Sequence, residues 1–232
     1  MDAVPCWLLT DEWGETSLGD GLRCGWGRGI THSNAADPVV GYVCDSAHLP
    51  LLLDPLYERH GTSTRLWLSE VTHPCYQDPH RVADHTWTTL DEWPRPQWVG
   101  SELDGRIRLR LALLAAARGV SASSLRLRLR SLSLDDLGEA AWKVEQMTQA
   151  VRGSVPQALS MAAMALHDAA RLAIGRPGLE DRVARRYPLY AWYAAMAASC
   201  ACIDLSALAD EAVRMEWDPA TARRSAGLVT VS

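Results

Sequence analysis

Phenylalanine is missing from this chain and lysine occurs once, at Lys143, so aromatic bulk falls mainly to ten tryptophans and positive charge almost wholly to arginine. Coding bias from a GC-rich genome explains both without invoking guanidinium chemistry. Positive charge is not in excess either: the formal net charge is −5 and the isoelectric point lies near 5.8. That balance excludes a general nucleic-acid coat protein, whose backbone contacts need a positive field, and leaves room only for a local basic patch. No window approaches the ~20 apolar residues of a membrane span. The opening MDAVPCWLLTDEWGE has neither the positive start nor the continuous apolar run of a secretory signal. The expectation is a soluble, cytoplasmic chain. Cys6, Cys24, Cys44, Cys75, Cys200 and Cys202 are then reduced thiols or metal ligands, not a disulfide framework.

What is present is unevenly distributed. Trp7, Trp13, Trp26, Trp67, Trp87, Trp93 and Trp98 stand in the first hundred residues with six of the seven histidines, whereas Ala, Leu and Arg dominate the remainder. With 232 residues, 48% of them hydrophobic, the chain is long enough for one large core or two small ones. The division predicts an α+β protein: a Trp/His/Cys-rich mixed domain over 1–98, an alanine-rich antiparallel helical bundle over 99–217 and a loose tail over 218–232.

In the first part, GYVCDS at 41–46 is β-prone. HLPLLLDPLYERHG at 48–61 is helical or a pair of helical turns interrupted by proline, and TRLWLSEV at 64–71 alternates as a strand. Together they spell a β-α-β unit, followed by a strand over 82–90 where Thr and Trp favour a pleated surface. The prolines of DEWPRPQWVG at 91–100 mark the domain boundary.

In the second part, Ala140, Val144, Met147 and Val151 repeat at steps of four and three, predicting a helix over 133–152 that Gly153 stops. Ser154 and Gln157 form a capping box with Pro156 in the first turn. The following helix carries Leu159, Ala163, Leu166, Ala170 and Ala173 on one face. Pro188 starts another, with Leu189, Trp192, Met196, Ser199 and Ile203 on one stripe, and the bundle packs through such faces. RIRLRLALL and SLRLRLRSL, within 105–132, alternate Arg with Leu and so fit strands as well as helices; helix is favoured over 102–118, and 122–132 is left open.

Several groupings invite chemistry. Cys24, His32, Cys44 and His48 offer a tetrahedral zinc set, although zinc sites usually show two tight ligand pairs and Cys24 and His32 are eight residues apart. His73, Cys75, His80 and His85 form a denser set broken by prolines. Ordinary buried cysteine and surface histidine is the competing description of both. Cys44, just ahead of a helix start, is the best thiol nucleophile. If 105–132 were two strands, Arg106, Arg108, Arg110, Arg126, Arg128 and Arg130 would line a phosphate-binding face.

The run GYVCDSAHLPLLLDPLYERHG, TRLWLSEV and HTWTTLDEWPRPQWVG, followed by an alanine-rich helical region, resembles uncharacterised proteins of actinobacterial phages and prophages. The resemblance implies a mobile-element accessory protein and assigns no residue a role. The strand, helix, strand order around GYVCDS and TRLWLSEV also resembles part of the ADP-ribosyltransferase fold. That likeness implies a nicotinamide dinucleotide (NAD) cleft with Glu70, Ser46 and His32 as catalytic candidates and Tyr42 lining the cofactor pocket.

The sequence carries no complete catalytic signature. It therefore predicts a non-catalytic interaction protein whose helical domain mediates self-association or partner binding, with the NAD-binding enzyme and an Arg-based nucleic-acid binder as alternatives.

Overall fold

The computed structural model describes residues 3–11, 13–17, 23–33, 38–53, 65–78, 81–151, 153–174, 180–199 and 203–217. The chain divides into two compact units, residues 1–100 and 101–232. The architecture is α+β, an antiparallel sheet followed by helices.

The first unit contains β1 (Val4–Thr10), β2 (Glu15–Ser17), β3 (Arg23–Gly25), β4 (Thr31–Ser33), β5 (Val39–Tyr42), α1 (His48–Leu53), β6 (Arg65–Val71), β7 (Tyr76–Gln77), β8 (Arg81–Asp84) and β9 (Thr86–Trp93). Seven strands form one sheet in the order β4-β9-β6-β1-β5-β8-β7, and β2 pairs with β3. Every pairing is antiparallel. The two expected strands and the helix over 48–53 are present, residues 54–61 of the expected helical stretch lying outside the described residues, but β5 and β6 do not pair. β1 lies between them, antiparallel to both. Strand β1 escapes a search for alternation because VPCWLLT is nearly continuous in apolar residues, although only the Cys6, Leu8 and Thr10 face is buried throughout.

The strand expected over 82–90 is two strands broken at His85. There Asp84 accepts from the Thr86 N–H at 3.1 Å and from the His73 N–H at 3.0 Å, so its carboxylate turns the chain.

Cys6, Leu8, Trp67, Val71 and Trp87 meet on one sheet face, joined by Trp26. Gly41 fits here for a steric reason: a Cβ at that position would overlap both the Trp87 ring and the Trp7 carbonyl oxygen.

The second unit contains α2 (Glu102–Gly119), α3 (Ser123–Arg130), α4 (Leu137–Ala150), α5 (Gln157–Ala173), α6 (Glu180–Ser199) and α7 (Leu205–Glu216). Helix α2 packs against α3, α5, α6 and α7, and from Ile107 to Ala117 it is buried on every side. Both Arg/Leu repeats are therefore helical. Their alternation produces no two-faced strand, because two residues of helix turn through about 200°. Alanines at Ala112, Ala116, Ala162, Ala165 and Ala194 allow the helices to approach closely around a core with Leu113 and Leu166.

Three local expectations are corrected. Helix α5 begins after Pro156, whose extended ψ of 135° and missing side-chain cap set aside the Ser154/Gln157 capping box. Pro188 lies inside α6, not at its start. On α6 the inward face is Ala191, Ala194, Ala195 and Ala198, whereas Leu189 and Tyr193 are exposed. The small side chains win the interior position because they let the backbones close up.

Candidate functional site

The proposed zinc set is not assembled: among the described residues no group of three or more His, Cys, Asp or Glu is placed to hold a metal ion. Cys24 sits on β3, and His32 on β4 contacts the Gly25 carbonyl oxygen at 2.5 Å, its ring edge-on to Trp26 at 4.6 Å. Cys44 follows β5 and donates to the Ser46 carbonyl at 3.3 Å, while His48 opens α1. In the denser set, Cys75 donates to the Ala83 carbonyl. His80, Cys200 and Cys202 lie outside the described residues.

Two thiols other than that of Cys44 are shifted away from nucleophilic character. Burial, followed by the charges of Asp84, Glu70 and Cys44, pushes the Cys6 thiol far up, and burial also raises Cys24.

The dinucleotide candidates are dispersed. Strand register pairs Glu70 with Thr88 but His32 with Trp87, and adjacent residues of β9 face opposite ways, so Glu70 and His32 lie on opposite sheet faces. Tyr42 is opposite Trp7 on the face of Glu70, with all of β1 intervening. Ser46 is buried and its hydroxyl accepts from the His48 N–H at 3.1 Å, which occupies it at the start of α1.

The six arginines are not a phosphate-binding face. Arg106 pairs with Glu216 at 3.1 Å and Asp135 at 3.0 Å. Arg110 reaches the second Glu216 oxygen at 2.6 Å, and Arg108 pairs with Asp104 at 2.9 Å. Arg130 pairs with Glu211, and Arg126 donates to the Val120 carbonyl at 3.1 Å. Arg128 is exposed on α3. Four of the six thus neutralise carboxylates within the unit, joining α2, α3 and α7. Burial opposes the Arg106 charge, yet hydrogen bonds to the Asp135 and Glu216 carboxylates outweigh it and hold that guanidinium above its ordinary range. Asp135 is held below its usual range by the Ser133 hydroxyl and then Arg106.

The surface left over is the outer stripe of α6. Leu189 is 37% exposed and Tyr193 41%, with Trp192 packed edge-on against Tyr193 at 4.9 Å and Met196 half-buried one turn on. From Pro188 to Ala198 the helix has no charged residue. Neighbouring α5 adds the exposed Met164. Leu189, Trp192 and Met196 were legible as a stripe from sequence, but assigned to the bundle interior. The sign of their true direction is the alanine set at 191, 194, 195 and 198, which follows helical spacing just as well.

Comparison of the chain with family models, with curated proteins and with solved structures gave no match. Among the described residues no helix is long and apolar enough to cross a membrane.

Proposed function

We propose that the chain is a soluble, cytoplasmic, non-catalytic interaction protein of the phage or mobile-element accessory type, and that it self-associates through the outer stripe of α6. The observation that carries this reading is the uncharged aromatic and aliphatic strip, exposed at Leu189 and Tyr193 and half-buried at Trp192 and Met196, while alanines fill the interior. Such a strip complements a second copy of itself: an isologous contact places apolar surface on apolar surface and buries no unpaired charge. The dispersal of the zinc and dinucleotide candidates supports the non-catalytic part.

Sedimentation velocity tests the reading. The expected result is a dimer that Leu189→Glu with Tyr193→Glu converts to monomer without loss of helical circular dichroism. A wild-type chain that sediments as a monomer across the accessible concentration range overturns it. Native mass spectrometry adds an independent check, because a retained zinc ion or nucleotide would return weight to the metal or dinucleotide readings.

A further inference from the structure

In the helical unit, the link between α2 and α3 lines a groove of about 410 Å³ together with Val151, Ser154 and Pro156. That is the size of a small-molecule site, too small for a macromolecular face. Val120, Leu125, Val151 and Pro156 give it a hydrocarbon wall, and Ser121 and Ser154 add hydroxyls. Among the described residues no acidic side chain lines it, and the first turns of α3 and α5, which open beside it, contain none. A positive charge is tied to its wall. Arg126 bonds through one Nη to the carbonyl of Val120, itself a wall residue, and its partner there is a neutral oxygen rather than a carboxylate. A guanidinium has five donors, so this single bond leaves capacity for an anion. The contrast with Arg106, Arg108, Arg110 and Arg130 is direct, since each of those is neutralised by a carboxylate.

We propose that this groove binds a small amphipathic anion, a carboxylate or phosphate ester carrying a short alkyl or aryl group. The apolar part lies against Val120, Leu125, Val151 and Pro156, and the charge meets Arg126. A cation of the same shape would face the guanidinium with no acid to offset it. This site is separate from the α6 stripe, and its readout is ligand binding rather than sedimentation, so either proposal fails without the other.

The test is fluorescence titration of the full chain with anilinonaphthalene sulfonate, followed by displacement with octanoate, octyl phosphate and octylamine. One saturable site is expected, displaced by the two anions and not by the amine. Arg126→Gln is expected to weaken the anions about tenfold, the loss of one charge-assisted contact. Ala122→Glu, at an exposed wall position, places a carboxylate beside the site and abolishes binding. Arg128→Gln, outside the groove, leaves it unchanged. Equal displacement by octylamine, or unchanged affinity in both Arg126→Gln and Ala122→Glu, overturns the proposal. Thermal melts of each variant separate lost binding from lost folding.

Discussion

In the sheet unit the interior polar groups are mostly neutral, tryptophan N–H groups and Ser or Thr hydroxyls; in the helical unit they are mostly charges. Trp7, Trp67 and Trp87 place their rings inside the sheet unit and give their N–H groups to the Cys44 carbonyl, the Thr10 hydroxyl and the carbonyls of Val39 and Asp84. The helical unit instead holds Glu216 between Arg106 and Arg110, and Arg108 against Asp104. A large ring with one donor is satisfied by any nearby carbonyl, which suits a sheet whose loops supply many. Helices keep their own carbonyls occupied, so polar groups between them must find side chains. The two interiors should therefore fail differently.

The largest expected effect is at Glu216, whose side chain is 4% exposed. Glu216→Ala strands the buried Arg110 guanidinium and leaves Arg106 with Asp135 alone, and breaking a buried pair in this way costs about 3–5 kcal/mol. Chemical denaturation of the helical unit measures it; a loss under about 1 kcal/mol would erase the contrast between the units. In the sheet unit the sharpest test is steric. Gly41→Ala forces a methyl into the Trp87 ring and the Trp7 carbonyl, with an expected loss of about 1–3 kcal/mol from overpacking. Thermal unfolding followed by tryptophan fluorescence reads it.

Smaller effects are expected at the helix starts. Asp136 and Asp204 accept from the N–H groups of Glu139 at 2.9 Å and Ala207 at 3.0 Å, so Asp136→Ala and Asp204→Ala should each cost about 1 kcal/mol by urea titration. Nothing comparable is expected for Ser154→Ala, since α5 has no side-chain cap.

The smallest effect concerns acid. The Arg65 hydrogen bond holds the Glu92 carboxyl below its usual range, against the opposing push of burial. A depressed carboxyl stabilises the fold above the ordinary glutamate pKa of about 4.3 and loses that contribution as pH falls through its lowered value. Because both side chains are more than a third exposed, solvent screening keeps the term below about 1 kcal/mol. Urea midpoints for wild type and Glu92→Gln, compared between neutral and acid pH, should converge as the pH drops.

Legibility followed the strength of local patterning. The strand at TRLWLSEV was readable because its period of two survives, and the helices over 102–118, 133–152 and from 157 because apolar spacing is sustained there, whereas 122–132 stayed open between strand and helix. The three-residue strands β2, β3 and β4 were not, since so short a piece shows no period. Central β1 was missed because its apolar residues run on without alternation, whichever face they take. The six arginines looked like one face only under the strand assignment, and helical rotation dispersed them. The zinc and dinucleotide candidates combined residues near in sequence, whereas register places Glu70 and His32 on opposite sheet faces.

Composition and periodicity by themselves determined the α+β class and the helical character of the second half, because those follow from propensities summed over many residues. Tertiary structure alone decided which side of each element faces inward. An amphipathic helix with an alanine stripe and a Leu/Trp/Tyr stripe offers two packing faces, and α6 buries the smaller one because close helix contact rewards it. The same rule governs the charges: Arg110 became an interior residue, with Arg106 at its edge, because α7 brings Glu216 to meet them across more than a hundred residues of chain.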